Sequence, residues 1–273
     1  MVRGHRQGTQ RDELVRYRTI WISDLHLGTR GCKAHLVLDF LRSTRAERLY
    51  LVGDVVDAQQ LARSWRWTPA HGEVVRAVLD LAREGTRVVY VPGNHDAALR
   101  AYDGLTFGHV EVRGEAFHET ADGRRLWVVH GDRFDGASRS PRWVLALGDA
   151  AYNVALAAND AFNRVRRRLG YPYLSISRML KQGFKDALLS VNRFDEVLAR
   201  EARARGVDGV VCGHVHRAGI RDLDGVLYCN DGDWVESCTA LVEHEDGRLA
   251  LVDWIAERAA AMPAGGHPLE VAR

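Results

Sequence analysis

Short apolar segments alternate with longer amphipathic segments along much of the chain. The apolar segments are rich in β-branched and aromatic residues, and polar residues follow each of them at once: Thr19–Ile22, Leu49–Val52, Val88–Val91, Leu126–Val129 and Gly209–Cys212. Nearly uninterrupted apolar runs of this length are typical of strands that are buried on both faces. Between the first three strands, Leu36–Arg42 and Val74–Arg83 carry apolar residues at helical spacing. The alternation therefore predicts an α/β fold.

The last part of the chain has a different pattern. Three further strand patterns follow one another without an intervening helix, at Gly225–Asn230, Cys238–His244 and Arg248–Trp254. The last two are joined by Glu245-Asp246-Gly247, which is typical of a tight turn. We expect antiparallel pairing in this section.

The segment between His130 and Gly209 contains no convincing strand pattern. It carries two stripes of apolar residues at helical spacing, separated by Gly170-Tyr171-Pro172. We interpret residues 138–200 as a helical insertion, or lid, in a core domain formed by 19–137 and 201–256. Residues 1–18 and 257–273 are expected to be flexible tails.

Composition and charge narrow the class of protein. The 273 residues are 46% hydrophobic and 27% charged, which is ordinary for a globular protein with a substantial core. The net charge is +2, but residues 139–193 contain ten Arg or Lys and three Asp, so the rest carries 2 − 7 = −5. A basic insertion of this kind suits an anionic ligand or an anionic membrane surface.

The sequence also indicates a cellular location. No apolar run approaches the roughly 18 residues of a membrane span, and the Arg-rich start lacks the apolar region of a secretory signal. We expect a cytoplasmic protein. Peripheral contact with the inner membrane surface is compatible with this expectation. The four cysteines form no CxxC pair, so we expect reduced and mostly buried thiols.

Residues that can bind metal ions follow all five of the first-mentioned strands. In chain order they are Asp24, His26, Asp54, Asn94, His130, His214 and His216. Because ligands bind at the carboxyl ends of strands in an open α/β sheet, we expect these side chains to converge on one sheet edge. Clustered carboxylates repel one another, and divalent cations remove that repulsion. Seven ligands are too many for one tetrahedral ion and suit two octahedral ions that share a bridge.

Each of these residues alone also has an ordinary structural explanation. Asp24 and Asp54 could be helix N-caps, and His130 could be a buried core histidine. If these ordinary roles were the explanation, five strand ends would have to carry metal-binding residue types by coincidence. A shared metal site explains all five at once. His95 directly follows Asn94, and neighbouring side chains diverge, so we expect His95 to donate a proton rather than to bind metal. An unperturbed imidazole titrates near about 6.5, which suits protonation of a leaving oxygen.

Five blocks of the sequence, spread over about Thr19 to Trp254, resemble those of the calcineurin-like metallophosphoesterase superfamily. They are Asp24-x-His26, Gly53-Asp54, Gly93-Asn94-His95-Asp96, His130-Gly131 and Gly213-His214-x-His216. The resemblance implies a four-layer αββα β-sandwich core and a two-metal site. It implies these ligands: Asp24, His26 and His216 at one ion, Asn94, His130 and His214 at the other, and Asp54 as the bridge.

The resemblance also implies a catalytic pair and the cofactors. His95 would contact the phosphate and the leaving group, and Asp96 would orient His95. The cofactors would be two divalent metal ions, for which mixed Asp, Asn and His ligands favour Mn and leave Fe and Zn as alternatives. Two such ions would lower the pKa of a bridging water and clamp the phosphoryl oxygens.

A narrower resemblance is to the UDP-2,3-diacylglucosamine pyrophosphatase group of lipid A synthesis. It rests on Ile22–Gly28, on the Gly232-Asp233-Trp234 turn and on the helical insertion. That group cleaves a nucleotide-linked lipid to UMP and a lipid phosphate, and its best-known members carry Arg where this chain has His95. The candidate substrate-binding residues are Arg166, Arg167, Arg168, Lys181 and Trp234.

Other functions stay open at this point. One alternative is a phosphodiesterase or phosphatase acting on nucleotides or other small phosphoesters. A protein phosphatase is disfavoured because Ala58-Gln59 and Asp96 replace the residues such enzymes usually carry. A non-enzymatic metal-binding scaffold is disfavoured because all seven ligands and His95 are present. Nucleic acid is not an expected partner, since basic and aromatic residues do not alternate as in a strand-binding groove. The sequence leaves the oligomeric state open.

Overall fold

The computed structural model describes residues 14–137 and 194–261. The chain divides into two compact units, one made of Met1–Asp132 and Glu201–Arg273 and the other of Arg133–Arg200. Almost all of the predicted insertion, with Arg166, Arg167, Arg168 and Lys181, lies outside the described residues.

The described residues form twelve strands. In chain order they are β1 (Val15–Ile22), β2 (Thr44–Leu51), β3 (Arg87–Tyr90), β4 (Thr106–Phe107), β5 (Val110–Val112), β6 (Ala116–Glu119), β7 (Arg125–Val128), β8 (Gly209–Cys212), β9 (Gly219–Leu223), β10 (Val226–Asn230), β11 (Thr239–Glu243) and β12 (Leu249–Asp253). They build a seven-stranded sheet in the order β12-β11-β1-β2-β3-β5-β4 and a five-stranded sheet in the order β6-β7-β8-β10-β9. In the first sheet, β1, β2, β3 and β5 are parallel, and antiparallel strands flank them.

Five α-helices lie within the described residues. They are α1 (Ala34–Ser43), α2 (Ala58–Arg63), α3 (Pro69–Arg83), α4 (Phe194–Ala204) and α5 (Trp254–Ala261), and 3-10 turns span Ala97–Tyr102 and Asp132–Ala137. The sequence determines the start of α3 in detail, because Thr68 accepts a hydrogen bond from the backbone N–H of His71 and Pro69 occupies the first turn. Among the described residues, no helix is both long and apolar enough to cross a membrane.

Two separate cores show how the layers stack. Ile20 and Ile22 of β1 pack into a core with apolar residues of α1 and α3, whereas Trp21 between them packs into a second core that contains Val128 of β7 and Val211 of β8. Because successive side chains of a strand point to opposite faces, this alternation places helices on one face of the first sheet and the second sheet on its other face. The expected α/β sandwich of two sheets is confirmed.

Within the described residues the predicted strands and helices are present, and several differ at their ends. Strand β1 begins at Val15, which pairs with Thr44, so residues 15–18 belong to the sheet and not to the predicted tail. Helix α5 continues into the predicted C-terminal tail, where Arg258 forms an ion pair with Asp39. All four cysteines are free, and three of them are buried, as expected.

Candidate metal centre

The predicted ligands come together beside the ends of five strands, but these strands belong to two sheets. The loops after β1, β2 and β3 come from the first sheet, and those after β7 and β8 come from the second. The expectation of a single sheet edge is therefore wrong. Backbone hydrogen bonds join the loops within each sheet, from Asp24 N to Gly53 O at 3.0 Å and from Gly213 N to His130 O at 3.2 Å. Across the sheets, His214 N donates to Asp24 Oδ2 at 2.8 Å.

One group of candidate ligands contains Asp24, His26 and His216, which offer ligand atoms within 4.8 Å of one another. Asp24 is fully buried, and its Oδ1 lies 3.0 Å from His216 Nε2 and 3.7 Å from His26 Nε2. His216 is the most accessible of the three, with a side chain 36% exposed. The carboxylate of this group is thus buried, and the imidazole of His216 lies on the solvent side.

A second group contains Asp54, His130 and His214, again within 4.8 Å of one another. His130 Nε2 lies 3.4 Å from Asp54 Oδ2, and the rings of His130 and His214 meet edge to face at 5.2 Å. Asn94 follows β3 near this group, since the next residue, His95, donates its backbone N–H to Asp54 Oδ1 at 2.8 Å. The first group has the members expected from the sequence, whereas the second contains Asp54 and not Asn94. A third group within the described residues joins His26, Asp57 and His95.

The far nitrogens of two histidines are fixed by neighbours. His26 Nδ1 lies 3.1 Å from Asp57 Oδ2, and His130 Nδ1 lies 2.8 Å from the backbone oxygen of Val52. Because these oxygens only accept, each Nδ1 carries a proton, and each Nε2 faces the ligand group. This is the usual arrangement of metal-binding histidines, whose second nitrogen donates to a carboxylate or carbonyl.

Two buried polar atoms test whether the residues fit a metal. Asn94 Oδ1 and His130 Nε2 have no hydrogen-bond partner in the described part of the chain. Buried polar atoms are normally paired because leaving them unpaired costs about 1–3 kcal/mol. A divalent cation bound by both would remove that cost, so the donor set fits the expected metals.

Glycines keep the centre open for close approach. A Cβ at Gly93 would collide with Asp54 Oδ1, and one at Gly213 would collide with Ser23 and Asp24. Side chains at these positions would occupy the volume of the carboxylates themselves. The glycines in the Gly93-Asn94 and Gly213-His214 blocks are therefore required by packing.

Five of the candidate ligands have left-handed backbone conformations. Their φ angles are 51° at Asp24, 48° at His26, 51° at Asp54, 68° at His214 and 51° at His216. Non-glycine residues adopt this region rarely, at a cost of about 1–2 kcal/mol each. Such strain concentrates at functional sites, where the surrounding structure maintains it.

The charges of the ligands depend on one another. Burial opposes ionisation of Asp24, but contacts with His216 and His26 hold its pKa below its usual range. Burial likewise opposes the imidazolium form of His130, and the carboxylates of Asp54 and Asp24 outweigh it and raise the pKa of His130 to about 9. Without a bound cation, the carboxylates are thus ionised and the imidazolium form of His130 is favoured, so a cation that binds His130 would displace its proton.

His95 lies beside the ligands with access to solvent. Its side chain is 31% exposed, and its Nε2 lies 3.9 Å from Asp54 Oδ2. Its Nδ1 lies 2.9 Å from Asp57 Oδ2, the same oxygen that contacts His26. Asp57 was not singled out from the sequence, although its spacing in Gly53-Asp54-x-x-Asp57 places it one turn beyond a ligand and at the N-cap of α2.

Asp96 does not have the predicted contact. The carboxylate against His95 is that of Asp57, whereas Asp96 accepts hydrogen bonds from Tyr90 Oη and from the backbone N–H groups of Val55 and Gly93. Asp96 is buried, and these three donors hold the ligand loops after β2 and β3. The prediction that Asp96 orients His95 is therefore wrong, because its oxygens are already used.

Trp234 is not placed to touch a substrate. It is fully buried in the core beneath the first sheet, and its ring lies 5.2 Å from that of Phe40. Its prediction as a substrate-binding residue is wrong, since the Gly232-Asp233-Trp234 turn directs the indole inward. The other predicted substrate-binding residues, Arg166, Arg167, Arg168 and Lys181, lie outside the described residues.

The chain is similar in sequence to several known proteins. Residues 17–218 match the family described as calcineurin-like phosphoesterase. The UDP-2,3-diacylglucosamine hydrolase of Stenotrophomonas maltophilia is 29% identical over 82% of this chain and 93% of its own length. The protein of the same name from Azotobacter vinelandii is 28% identical over 75% of this chain and 84% of its own length.

Among solved structures, a phosphoesterase from E. coli aligns with a TM-score of 0.41 and 15% sequence identity. The alignment covers 86% of this chain and 98% of that protein.

Proposed function

The chain belongs to the calcineurin-like phosphoesterase family and is a metal-dependent phosphoester hydrolase, and from this premise we propose its substrate. We propose that it hydrolyses the pyrophosphate bond of a nucleotide-linked lipid similar to UDP-2,3-diacylglucosamine and releases UMP and a lipid phosphate. The proposal is supported by relatives named UDP-2,3-diacylglucosamine hydrolase that are 25–29% identical over most of both chains. The corresponding role would be in lipid A synthesis.

The main support for hydrolysis is the presence of two groups of candidate metal ligands. Two buried atoms that could bind metal, Asn94 Oδ1 and His130 Nε2, have no hydrogen-bond partner within the described residues. We propose that Asp24, His26 and His216 hold one cation, that Asn94, His130 and His214 hold the other, and that Asp54 lies between them. When bound, the two cations would lower the pKa of a water molecule and neutralise charge on the phosphoryl oxygens. The mixture of carboxylate, amide and imidazole ligands favours Mn²⁺, with Fe²⁺ and Zn²⁺ as alternatives.

The chain's own residues would manage the leaving group. The ring of His95 is 31% exposed, its Nδ1 lies 2.9 Å from Asp57 Oδ2, and its Nε2 lies 3.9 Å from Asp54 Oδ2. We propose that the imidazolium form donates the Nε2 proton to the leaving oxygen. Asp57 would orient the ring, as a carboxylate beside a general acid does.

A second candidate substrate class follows from His95. The best-known pyrophosphatases of the group carry Arg at this position, and retention of His resembles the general phosphoesterase pattern. A smaller nucleotide or phosphodiester is therefore the alternative substrate.

The deciding experiment uses the full-length protein with Mn²⁺ and two substrates. We expect UDP-2,3-diacylglucosamine to give UMP and lipid phosphate, detected by chromatography and mass spectrometry, with a higher kcat/KM than bis-p-nitrophenyl phosphate. UDP-N-acetylglucosamine, which lacks the two acyl chains, is the matched control. Hydrolysis of the small diester with no UMP from the acylated substrate would contradict the nucleotide-lipid proposal and support the alternative.

A further inference from the structure

Behind the metal centre lies a fully buried carboxyl group that the proposed chemistry does not use. Asp231, at the end of β10, is 0% exposed. Its Oδ1 lies 2.6 Å from Ser23 Oγ, and its Oδ2 has no hydrogen-bond partner in the part of the chain that the structure describes. Ser23 directly precedes the candidate ligand Asp24. A buried acid so close to the ligands needs a physical explanation.

Ser23 connects the two carboxyl groups. Ser23 Oγ lies 2.6 Å from Asp24 Oδ2 and 2.6 Å from Asp231 Oδ1. A hydroxyl has a single proton to donate, so it can donate to only one of these oxygens. The other short contact is a hydrogen bond only if that carboxyl group itself carries a proton.

The surroundings decide which carboxyl group carries it. Asp24 Oδ2 also accepts the backbone N–H of His214 at 2.8 Å, and Oδ1 lies 3.0 Å from His216 Nε2. The backbone N–H of His214 is therefore a fixed donor to the carboxylate of Asp24. Asp231 has no such donors on its Oδ2, and burial raises its pKa well above the usual range. The chain of hydrogen bonds therefore runs from Asp231 through the hydroxyl of Ser23 to Asp24.

We propose that Asp231 is a positioning residue which, through Ser23, fixes the carboxylate of Asp24 for metal binding. The hydroxyl of Ser23 and the backbone N–H of His214 both contact Oδ2 of Asp24, which leaves Oδ1 to face His26 and His216. A ligand already oriented loses less freedom when the ion binds, and hydrogen bonds to ligands typically change metal affinity by about 10–100-fold. This inference concerns the metal centre and is independent of which phosphoester is cleaved.

Three substitutions test the proposal. Ser23→Ala removes the hydroxyl that links the two carboxyl groups. Asp231→Leu removes the buried carboxyl group without leaving a cavity. Asp231→Asn keeps both the shape and a donor, because the amide can donate to Ser23 Oγ. We expect Ser23→Ala and Asp231→Leu to weaken Mn²⁺ binding at one of two sites by about 10–100-fold, and Asp231→Asn to bind Mn²⁺ as the unmodified protein does.

The readouts separate positioning from simple destabilisation. Mn²⁺ binding is measured by titration calorimetry, the metal-free melting temperature is recorded, and turnover of bis-p-nitrophenyl phosphate is followed at limiting and saturating Mn²⁺. Thr239→Val is the matched control, since Thr239 Oγ1 donates to the backbone oxygen of Asp231 at 2.8 Å and does not touch the chain of side chains. We expect this variant to melt earlier but to keep its Mn²⁺ affinity.

Two outcomes would overturn the proposal. Unchanged Mn²⁺ affinity in Ser23→Ala would show that the hydroxyl does not position Asp24. Equal losses in Asp231→Asn and Asp231→Leu would show that the carboxyl group acts as an anion. Neither outcome would affect the assignment of a nucleotide-lipid substrate, which is decided by a different assay.

Discussion

At the residue scale, the backbone of the ligands shows a conflict between stability and function. His216 has a φ of 51°, where a side chain is disfavoured and glycine is not. The imidazole ring of His216 contacts Asp24, while its backbone stays in this disfavoured conformation. Residues at such positions are retained for what their side chains do.

A pair of substitutions measures this strain. His216→Ala and His216→Gly remove the same imidazole, so they differ mainly in the backbone cost of a Cβ. In metal-free protein we expect the Gly variant to be more stable than the Ala variant by about 1 kcal/mol in urea unfolding. The adjacent exposed Arg217 lacks a positive φ, and there we expect the opposite sign, with Gly less stable by about 0.5–1 kcal/mol. The same sign at both positions would show that the left-handed backbone imposes no cost.

The role of His95 is tested by separating rate from metal content. His95→Ala should lower kcat by roughly 100-fold or more while both metal ions stay bound, since that is the usual contribution of a general acid. Asp54→Ala is the comparison, because loss of the shared carboxylate should remove both activity and bound metal. Kinetics with bis-p-nitrophenyl phosphate and elemental analysis give the two quantities. Loss of one ion from His95→Ala would identify His95 as a ligand.

The sequence was sufficient to predict which residues converge, because each ligand follows an apolar strand of clear pattern. It was not sufficient for Asp57 and Asp96. Both are carboxylates a few residues from a ligand, and only the path of the loops decides that Asp57 reaches His95 while Asp96 turns inward to Tyr90. Trp234 was wrongly predicted to bind substrate for the same reason, because the path of its loop decides that the side chain is buried.

At the scale of elements, a buried charged cluster joins the two sheets far along β11 from the ligand loops. Glu243 is fully buried and accepts hydrogen bonds from Thr19 Oγ1 at 2.8 Å and from the backbone N–H of Ala121 at 2.7 Å. Arg18 lies 2.6 Å from it, and His118 of β6 lies 2.9 Å from it. Burial alone would raise the pKa of Glu243, but the contacts with His118, Ala121 and Thr19 outweigh burial and lower the pKa to about 2.

This cluster predicts a pH dependence of stability. Because the pKa of Glu243 is lower in the folded than in the unfolded chain, its stabilisation is full above pH of about 4.5 and is lost as the pH falls towards 2. Glu243→Gln should therefore lower the free energy of unfolding by a few kcal/mol, on the order of 1.4 kcal/mol per pKa unit, at pH 6, and the deficit should shrink below pH of about 4.5. Urea unfolding of metal-free protein across this range is the measurement. The exposed Glu47→Gln on β2 is the control, and a constant deficit at every pH would contradict the assignment.

The elements themselves were predictable to different degrees. Strands with uninterrupted apolar runs, such as β8 and the last part of β2, were evident from the sequence. By contrast, β4 and β5 are too short to show a period, and Arg221 and Asp222 interrupt the apolar residues of β9. Helix α2 has no buried residue and begins because Asp57 caps it. Such elements are determined by neighbours rather than by their own pattern.

At the scale of the whole molecule, charge is unevenly distributed along the chain. Residues 139–193 carry a net +7, and the remainder carries −5. The sequence predicts a helical lid in this segment, whose apolar residues would cover acyl chains and whose Arg and Lys residues would contact an anionic membrane surface. A lipid phosphate at a bilayer would present both features.

The membrane hypothesis predicts a salt-dependent effect of three arginines. Replacing Arg166, Arg167 and Arg168 with Glu should weaken binding to vesicles that contain anionic phosphatidylglycerol, and the effect should fade at high salt. Co-sedimentation with vesicles measures the binding. Replacing the exposed Arg16, Arg76 and Arg248 with Glu is the control, because it changes the net charge equally. An equal loss in both variants would attribute binding to net charge and contradict a specific role of the insertion.

The strand order of the first sheet also has a consequence for synthesis on the ribosome. Strand β1 needs β11 as its antiparallel neighbour, and the candidate ligand group of Asp24 needs His216. The amino-terminal ligands therefore leave the ribosome long before the residues that complete their site. Since chains emerge amino-terminus first, neither ligand group is complete until almost all of the folded unit has been made. A nascent fragment therefore lacks part of each ligand group, and we expect metal binding to follow the emergence of His214 and His216 from the ribosome.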